Sequence, residues 1–105
     1  MNDEERLVSQ LRAGEEEAFE AVVIHHQDTL IRMAMRYVAN RATAKEVVQE
    51  TWIAVMSGLS QFESRSSLHT WICGILIHKA KDRGIRENRQ RTFSGYELET
   101  AHWSG

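Results

Sequence analysis

The polar residues of the segment from Ala42 to Trp52 could serve either solubility or the recognition of a protein. Glu46, Gln49 and Glu50 stand at positions i, i+3 and i+4, so on a helix they share one face. Two carboxylates and an amide on one face suit a basic partner, because charge complementarity fixes the register of an interface. A solvated helix face has the same composition, so the spacing alone leaves both interpretations open.

A second set of residues, farther along the chain, could bind phosphate. Lys79, Arg83 and Arg86 are separated by four and three residues, so one helix face carries all three. Residues 1–20 contain seven acids and two arginines, a net charge of −5, whereas residues 79–91 contain six cations and two acids, a net charge of +4. This asymmetry indicates an acidic and a basic end with different partners, although two solvated faces would also produce it.

Patterns that carry enzymatic chemistry do not occur in the sequence. There is no nucleophile elbow or phosphate-binding glycine loop, and the six glycines do not cluster. His69 and Cys73 stand four residues apart and could share a metal ion on a helix, but no second pair with finger-like spacing accompanies them. We therefore predict a protein that is not an enzyme and holds no metal or cofactor, with Cys73 packed as a small apolar residue.

Length and composition predict one helical domain. The chain has 105 residues, of which 42% are hydrophobic and 27% charged, as in soluble globular proteins. The lack of proline favours helices over a turn-rich sheet. The longest apolar run, Trp71 to Ile77, is far shorter than the about 20 residues that cross a bilayer. The acidic N-terminus lacks a signal peptide, and a single cysteine fits a reducing compartment, so we expect a cytoplasmic protein without membrane insertion.

Apolar periodicity predicts a compact all-α bundle of about four helices. The first extends from Asp3 to Ala13 and ends at Gly14, since glycine commonly terminates helices. The second begins near Glu15 and continues toward Tyr37, either unbroken or interrupted between residues 26 and 29.

The third and fourth helices carry the two candidate surfaces. Thr43 precedes Glu46 by three residues, the spacing of a capping box that begins the third helix. The predicted core positions of this helix are Val48, Trp52, Val55, Met56 and Leu59. A polar loop, residues 60–67, leads to a fourth helix that Ser66 or Ser67 caps and that ends near Arg86 or Glu87. Its predicted core positions are Leu68, Trp71, Ile72 and Ile75. We assign residues 1–91 to one domain and residues 92–105 to a tail or the start of a linker.

The stretch from Thr43 to Arg86 resembles conserved region two of the bacterial sigma factors of RNA polymerase, in the sigma-70 family and most closely in the extracytoplasmic-function group. The motifs that carry the resemblance are AKEVVQETW from Ala44 to Trp52, then Phe62 with ESRSS, then Thr70-Trp71-Ile72, and the basic run from Lys79 to Arg86. The opening segment RLVSQLRAGEEEAFEAVV is similar to the N-terminal part of the family, so the resemblance covers about residues 3–90.

The resemblance implies a DNA-binding transcription initiation factor domain that binds core RNA polymerase. In the family, the Gln-Glu helix docks on a coiled coil of the largest polymerase subunit, which assigns Glu46, Gln49 and Glu50 to polymerase binding. Glu46 could instead complete the capping box with Thr43, whereas Gln49 and Glu50 have no such local role.

In the family, the fourth helix and the loop before it recognise and melt the promoter minus-ten element and hold bases of the non-template strand. A basic face, an aromatic platform and a flexible loop meet these needs. The residues assigned to DNA binding are Phe62, Arg65, Ser66, Ser67, His78, Lys79, Arg83 and Arg86. Phe62 and Trp71 could instead belong to the core.

The sequence also departs from the family pattern. His78 stands where the family commonly has asparagine, which changes the hydrogen-bonding geometry toward a captured base. Lys45 replaces an acid, and the second helical domain that reads the minus-thirty-five element does not follow, so we expect either an excised fragment or a natural protein without that domain. The alternative function is a protein-interaction module that binds polymerase or an anti-sigma factor without specific DNA readout.

Overall fold

Four helices make up the described part of the chain. The computed structural model describes the backbone of residues 2–104 and the side chains of residues 2–90. The helices are α1 (Asp3–Arg12), α2 (Glu16–Ala34), α3 (Arg41–Gly58) and α4 (Leu68–Ser104), and a short 3-10 helix (Leu59–Gln61) follows α3. No strand occurs between residues 2 and 104, so the predicted all-α bundle of about four helices is confirmed.

The ends of α1 and the course of α2 follow from local sequence. The side chain of Asn2 accepts a hydrogen bond from the backbone N–H of Glu5 at the start of α1. Gly14 has φ of +77° and its N–H donates to the carbonyl of Leu11, as predicted for a glycine stop. α2 is continuous through residues 26–29, so the interrupted alternative is wrong.

Asn40 caps α3, and the predicted capping box is wrong. The Asn40 side chain accepts a hydrogen bond from the Thr43 N–H at 2.9 Å, and its backbone is extended. Thr43 already lies in the first turn of the helix, three residues inside the cap. Asparagine is among the preferred N-cap residues, and here it precedes two residues that take helical conformation, so the helix begins earlier than the Thr43 pattern indicated.

α3 lies at the centre of the bundle and contacts both α2 and α4. Val48, Trp52, Val55 and Leu59 are buried as predicted, but Met56 is 59% exposed. Met56 is rotated by about 100° from Val55 around the helix and therefore faces away from the buried side. Leu30 of α2 and Ile72 and Leu76 of α4 are fully buried in the same core.

α4 packs along α3 with an apolar stripe that includes the predicted positions and continues beyond them. Leu68 and Ile72 are buried, whereas Trp71 and Ile75 are half-buried, and Leu76 and Ala80 continue the buried side. Gly84 allows α4 to approach the turn after α2, because a Cβ at this position would overlap the carbonyl oxygen of Tyr37.

The fourth helix is longer than the sequence indicated. It continues to Ser104, past the predicted end near Arg86 or Glu87. The side chains of residues 91–105 lie outside the described part, so the division between a domain and a tail at residue 92 stays a prediction. None of the helices within residues 2–104 has the length and apolar character needed to cross a membrane.

Candidate functional site

The loop between the 3-10 helix and α4 forms a small surface pocket with an aromatic wall. Phe62 is buried, and its ring centroid lies 4.7 Å from that of Trp71, with 32° between the ring planes. Trp71 is half-buried and packs against Gly58, where a Cβ would lie 3.1 Å from the Trp71 ring. The core alternative therefore describes Phe62 well, and Trp71 is the aromatic ring that reaches the surface.

Polar groups surround this aromatic pair. The pocket, of about 280 Å³, is lined by Gln61, Phe62, Glu63, Arg65, Ser66 and Trp71. Arg65 and Glu63 form an exposed ion pair at 2.8 Å. An aromatic surface beside a guanidinium and a hydroxyl can stack and hydrogen-bond an unstacked nucleobase.

Ser67 has a structural role that limits its use as a donor to a ligand. Its hydroxyl donates to the hydroxyl oxygen of Thr70 at 2.9 Å and accepts from the Thr70 N–H at 3.1 Å, which caps α4 as predicted. Ser66 donates to the carbonyl of Ser67 at 3.2 Å and is exposed. Of the two serines, Ser66 is therefore the one that lines the pocket.

Arg83 of α4 joins both carboxylates of the predicted polymerase-binding face. Its Nη1 donates to Glu46 and its Nη2 to Glu50, each at 2.8 Å. The Arg83 side chain is 19% exposed, and those of Glu46 and Glu50 are 66% and 42% exposed. The hydrogen bond with Glu46 is the largest of the influences that raise the pKa of Arg83, so the guanidinium remains charged.

This ion-pair cluster changes the interpretation of both faces. Glu50 was expected to have no local role, yet it binds Arg83, so that expectation is wrong. Arg83 points toward α3, and the predicted row of three free cations on α4 is therefore interrupted at its centre. Arg86 is exposed and Lys79 is half-buried. These two cations, with the exposed His78, remain available for phosphate or base contacts on α4.

The exposed side of α3 carries two apolar residues: Ile53, which the sequence did not single out, and Met56, which was predicted to be buried. Gln49 is exposed, Ile53 is 65% exposed and Met56 is 59% exposed. With Glu46 they lie at i, i+3, i+7 and i+10, so they form one stripe along the helix. Ile53 could have been recognised from the sequence, because it lies outside the spacing of the predicted core residues.

A histidine cluster lies between α2 and α4. His26 is buried, its Nδ1 lies 2.8 Å from the carbonyl of Val22, and its ring centroid lies 5.1 Å from that of His69. Burial is the main cause that lowers the pKa of His26, and His25 and His69 lower it further. His69 Nε2 lies 3.6 Å from the sulfur of Cys73. Among the described residues, no group of three or more His, Cys, Asp or Glu side chains is placed to hold a metal ion.

Comparison with known proteins identifies the family. The model of the Sigma-70 region 2 family matches residues 22–91, which include α3, the loop and the first part of α4. The chain belongs to the sigma-70 region 2 family. The expected membership in this family is thus confirmed, and the relatives below support the extracytoplasmic-function group.

Two curated relatives illustrate the similarity. The RNA polymerase sigma-H factor of Pseudomonas aeruginosa is 27% identical over 100 residues, which cover 95% of this chain and 52% of the relative. The ECF RNA polymerase sigma-E factor of Escherichia coli K12 is 29% identical over 84 residues, which cover 80% of this chain and 44% of the relative. The chain therefore spans about half the length of the curated relatives it matches.

A solved structure has the same fold. It is an NMR structure of the complex of an engineered region 2 of sigmaE with GTAAAA. The two chains superpose with a TM-score of 0.72 and 26% sequence identity, over 86% of this chain and 97% of the solved one. The similarity thus includes nearly the whole of that engineered domain.

Proposed function

We propose that this chain is the region-two domain of an extracytoplasmic-function sigma factor, which binds core RNA polymerase and recognises and melts the promoter minus-ten element. The observation that carries the proposal is the structural match to an engineered region 2 of sigmaE bound to GTAAAA. The function is one of binding rather than catalysis, and it is exercised in the cytoplasm, where the promoter is.

The DNA-binding surface consists of the pocket beside Trp71 and the free cations of α4. An unstacked base of the non-template strand stacks on Trp71, which Phe62 supports, and Arg65 and Ser66 offer donors at the rim. Lys79 and Arg86 bind phosphate, and His78 lies on the same helix. Because histidine replaces the usual asparagine of the family, the different hydrogen-bonding geometry of His78 alters the base preference.

The polymerase-binding surface is the exposed stripe of α3. Gln49 supplies hydrogen bonds, Glu46 keeps its carboxylate largely exposed, and Ile53 and Met56 add apolar area next to them. Exposed apolar residues bordered by polar ones are typical of protein interfaces. A basic coiled coil of the largest polymerase subunit fits this stripe, and Glu50 contributes mainly by holding Arg83 in place.

An anti-sigma factor is the further partner we propose. A surface groove of about 590 Å³ is lined by Leu11, Gly14, Glu15, Glu16, Phe19, Glu20, Val23, Met56 and Leu59. Its apolar floor and three acidic residues suit an amphipathic helix with basic flanks. Substitution of Met56 by Glu should weaken such a complex.

Binding of the purified chain to two ligands tests the proposal. One ligand is the coiled-coil fragment of the largest polymerase subunit, and the other is single-stranded GTAAAA, measured at low and high salt. We expect both to bind, with the affinity for DNA decreasing as salt rises. If neither ligand binds, the proposed function is wrong.

The alternative function, a protein-interaction module without specific DNA readout, has one observation in its favour. Arg83, the central cation of the predicted DNA face, is held by Glu46 and Glu50. The double variant Lys79→Glu/Arg86→Glu separates the two functions and leaves this ion-pair cluster intact. The proposed function predicts that this variant loses the base-specific binding of the parent protein and keeps normal coiled-coil binding, whereas the alternative predicts no base-specific binding in the parent protein and normal coiled-coil binding in both proteins.

A further inference from the structure

α1 contacts both ends of the 62–67 loop that borders the aromatic pocket. At the start of the loop, Arg12 Nε donates to the carbonyl of Leu59 at 3.0 Å, and its Nη2 donates to the carbonyl of Phe62. At the end of the loop, the Glu4 carboxylate accepts a hydrogen bond from the Leu68 N–H at 3.0 Å. These partners are 47 to 64 residues apart in sequence, so only the tertiary fold brings them together.

Arg12 fixes the direction in which the chain leaves the 3-10 helix. Its guanidinium donates to the carbonyl of Leu59, the first residue of that helix, and to the carbonyl of Phe62, the residue that follows the helix. A lysine has a single ammonium on a flexible stem and cannot reproduce this geometry. The guanidinium therefore holds the backbone at Phe62, whose buried ring lies 4.7 Å from that of Trp71.

Glu4 fixes the position at which α4 begins. The N–H of Leu68 is one of the first N–H groups of α4 that have no partner within the helix, and Glu4 supplies its acceptor. The negative carboxylate is also favourable at the positive end of the helix dipole. Ser67 accepts from the Thr70 N–H in the same turn, so α1 and the loop share the capping of α4.

The loop between these two anchors contains a strained residue. Ser64 has φ of +58°, a conformation that residues other than glycine, asparagine and aspartate seldom adopt. Such strain persists only where the surrounding structure determines the conformation, and it is frequent at binding sites. The hydrogen bonds of Arg12 and Glu4 hold the two ends of the loop, and the ring pair of Phe62 and Trp71 packs beside it. Together they restrict the backbone of Ser64 between them.

We infer that Arg12 and Glu4 are positioning residues for base recognition: from α1 they hold the 62–67 loop in the shape that receives an unstacked base beside Trp71. The inference rests on the proposed function. Neither residue needs to touch DNA, because each acts through the backbone of the loop or of the helix that follows it.

Conservative variants of the two residues test the inference, with matched controls on the same helix. Arg12→Lys keeps the charge and removes the fork, and Arg6→Lys is its control at an exposed position. Glu4→Gln removes the carboxylate charge, and Asp3→Asn removes a charge from the same turn of α1. Each protein is titrated with single-stranded GTAAAA and with an abasic hexamer of equal charge, and the ratio of the two affinities reports base recognition.

We expect this ratio to decrease about three- to tenfold in Arg12→Lys and Glu4→Gln, because each loses an interaction that keeps the loop in its binding-competent form. The affinity for the abasic hexamer and the ratios of both controls should stay within about twofold of the parent protein. Hydrogen exchange of the Leu68 amide should be faster in Glu4→Gln, since its acceptor is weakened.

Three outcomes would contradict these expectations in different ways. If the ratio of the two affinities is unchanged in both variants, the inference about Arg12 and Glu4 is wrong and the proposed function is unaffected. An equal loss of affinity for the two hexamers, with a lower unfolding temperature, also overturns the inference, because the effect is then general loss of structure. If the parent protein binds the two hexamers equally, base recognition itself is absent, and the proposed function falls together with the inference.

Discussion

Removal of the Arg83 guanidinium should lower the free energy of unfolding of the bundle. It should have little effect on the binding of DNA phosphates. The perturbation is Arg83→Met, combined with Glu50→Gln in a double-mutant cycle. Arg83 hydrogen-bonds both carboxylates at 2.8 Å and is mostly covered, whereas Glu50 is 42% exposed. Exposed ion pairs have coupling energies of about 0.2–1 kcal/mol. Because solvent screens the contact between Arg83 and Glu50 less than it screens an exposed pair, we expect a coupling energy at the upper end of this range, about 1 kcal/mol.

The contact between Arg83 and Glu46 should contribute less. Glu46 is 66% exposed, so solvent and salt screen it more strongly, and we expect about 0.5 kcal/mol. Arg83→Met loses both contacts and should lower the free energy of unfolding by about 1.5 kcal/mol. Urea unfolding at low and high salt measures these values, and the coupling should decrease as salt rises.

Arg86→Met is the matched control, because Arg86 is an exposed arginine on the same helix. It should change the free energy of unfolding by less than about 0.5 kcal/mol. Because one phosphate contact is lost, the slope of log affinity for DNA against log salt concentration should become shallower by about one. Arg83→Met should leave that salt dependence nearly unchanged. A coupling energy near zero, or a loss of salt dependence in Arg83→Met equal to that in Arg86→Met, would refute the reasoning.

Three further predictions follow from other parts of the bundle. Gly84→Ala should destabilise the protein by about 1–3 kcal/mol in urea unfolding despite the better helix propensity of alanine, because the new Cβ overlaps the carbonyl of Tyr37; equal or greater stability would show that α4 can move away. The lowered pKa of His26 means that the unfolded chain takes up a proton at this histidine before the folded protein does, so stability should decrease as the pH falls below about 6.5. In His26→Gln that part of the decrease should vanish, and parallel pH curves for the two proteins would contradict the assignment. Gln49→Ala should change the free energy of unfolding by less than about 0.5 kcal/mol while weakening the binding of the polymerase coiled coil. If this variant unfolds instead, Gln49 is needed for the structure of the bundle.

The helices of this bundle were predictable because their signals are local. Apolar residues repeat with helical spacing, and Gly14 and Ser67 act at helix ends as their residue types indicate. The start of α3 was misassigned because two capping patterns overlap within four residues. Asn40 and Thr43 are both acceptable N-caps, and the choice between them depends on which residues take helical conformation first.

The resemblance assigned DNA binding to residues of the loop and of the basic part of α4, which are consecutive along the chain, and this assignment stays a prediction. The contacts within the candidate site could not be predicted. Sequence spacing cannot show that Arg83 turns toward α3, because its partners are 33 and 37 residues away. The contacts of Arg12 and Glu4 with the loop were missed for the same reason. Met56 was assigned to the core because it lies next to Val55 in the helical series of apolar residues. Only Val55 faces the buried side of α3 at this turn.

The central claim is that the domain distinguishes the bases of single-stranded promoter DNA, and one measurement tests it directly. The chain, bound to the coiled-coil fragment of the largest polymerase subunit, is titrated with a library of single-stranded hexamers at one salt concentration. Since all hexamers carry the same charge, differences in affinity report base readout. We predict that the best sequences bind at least about tenfold more tightly than the median. Affinities that all lie within about twofold of one another would contradict the account, because binding would then be electrostatic only.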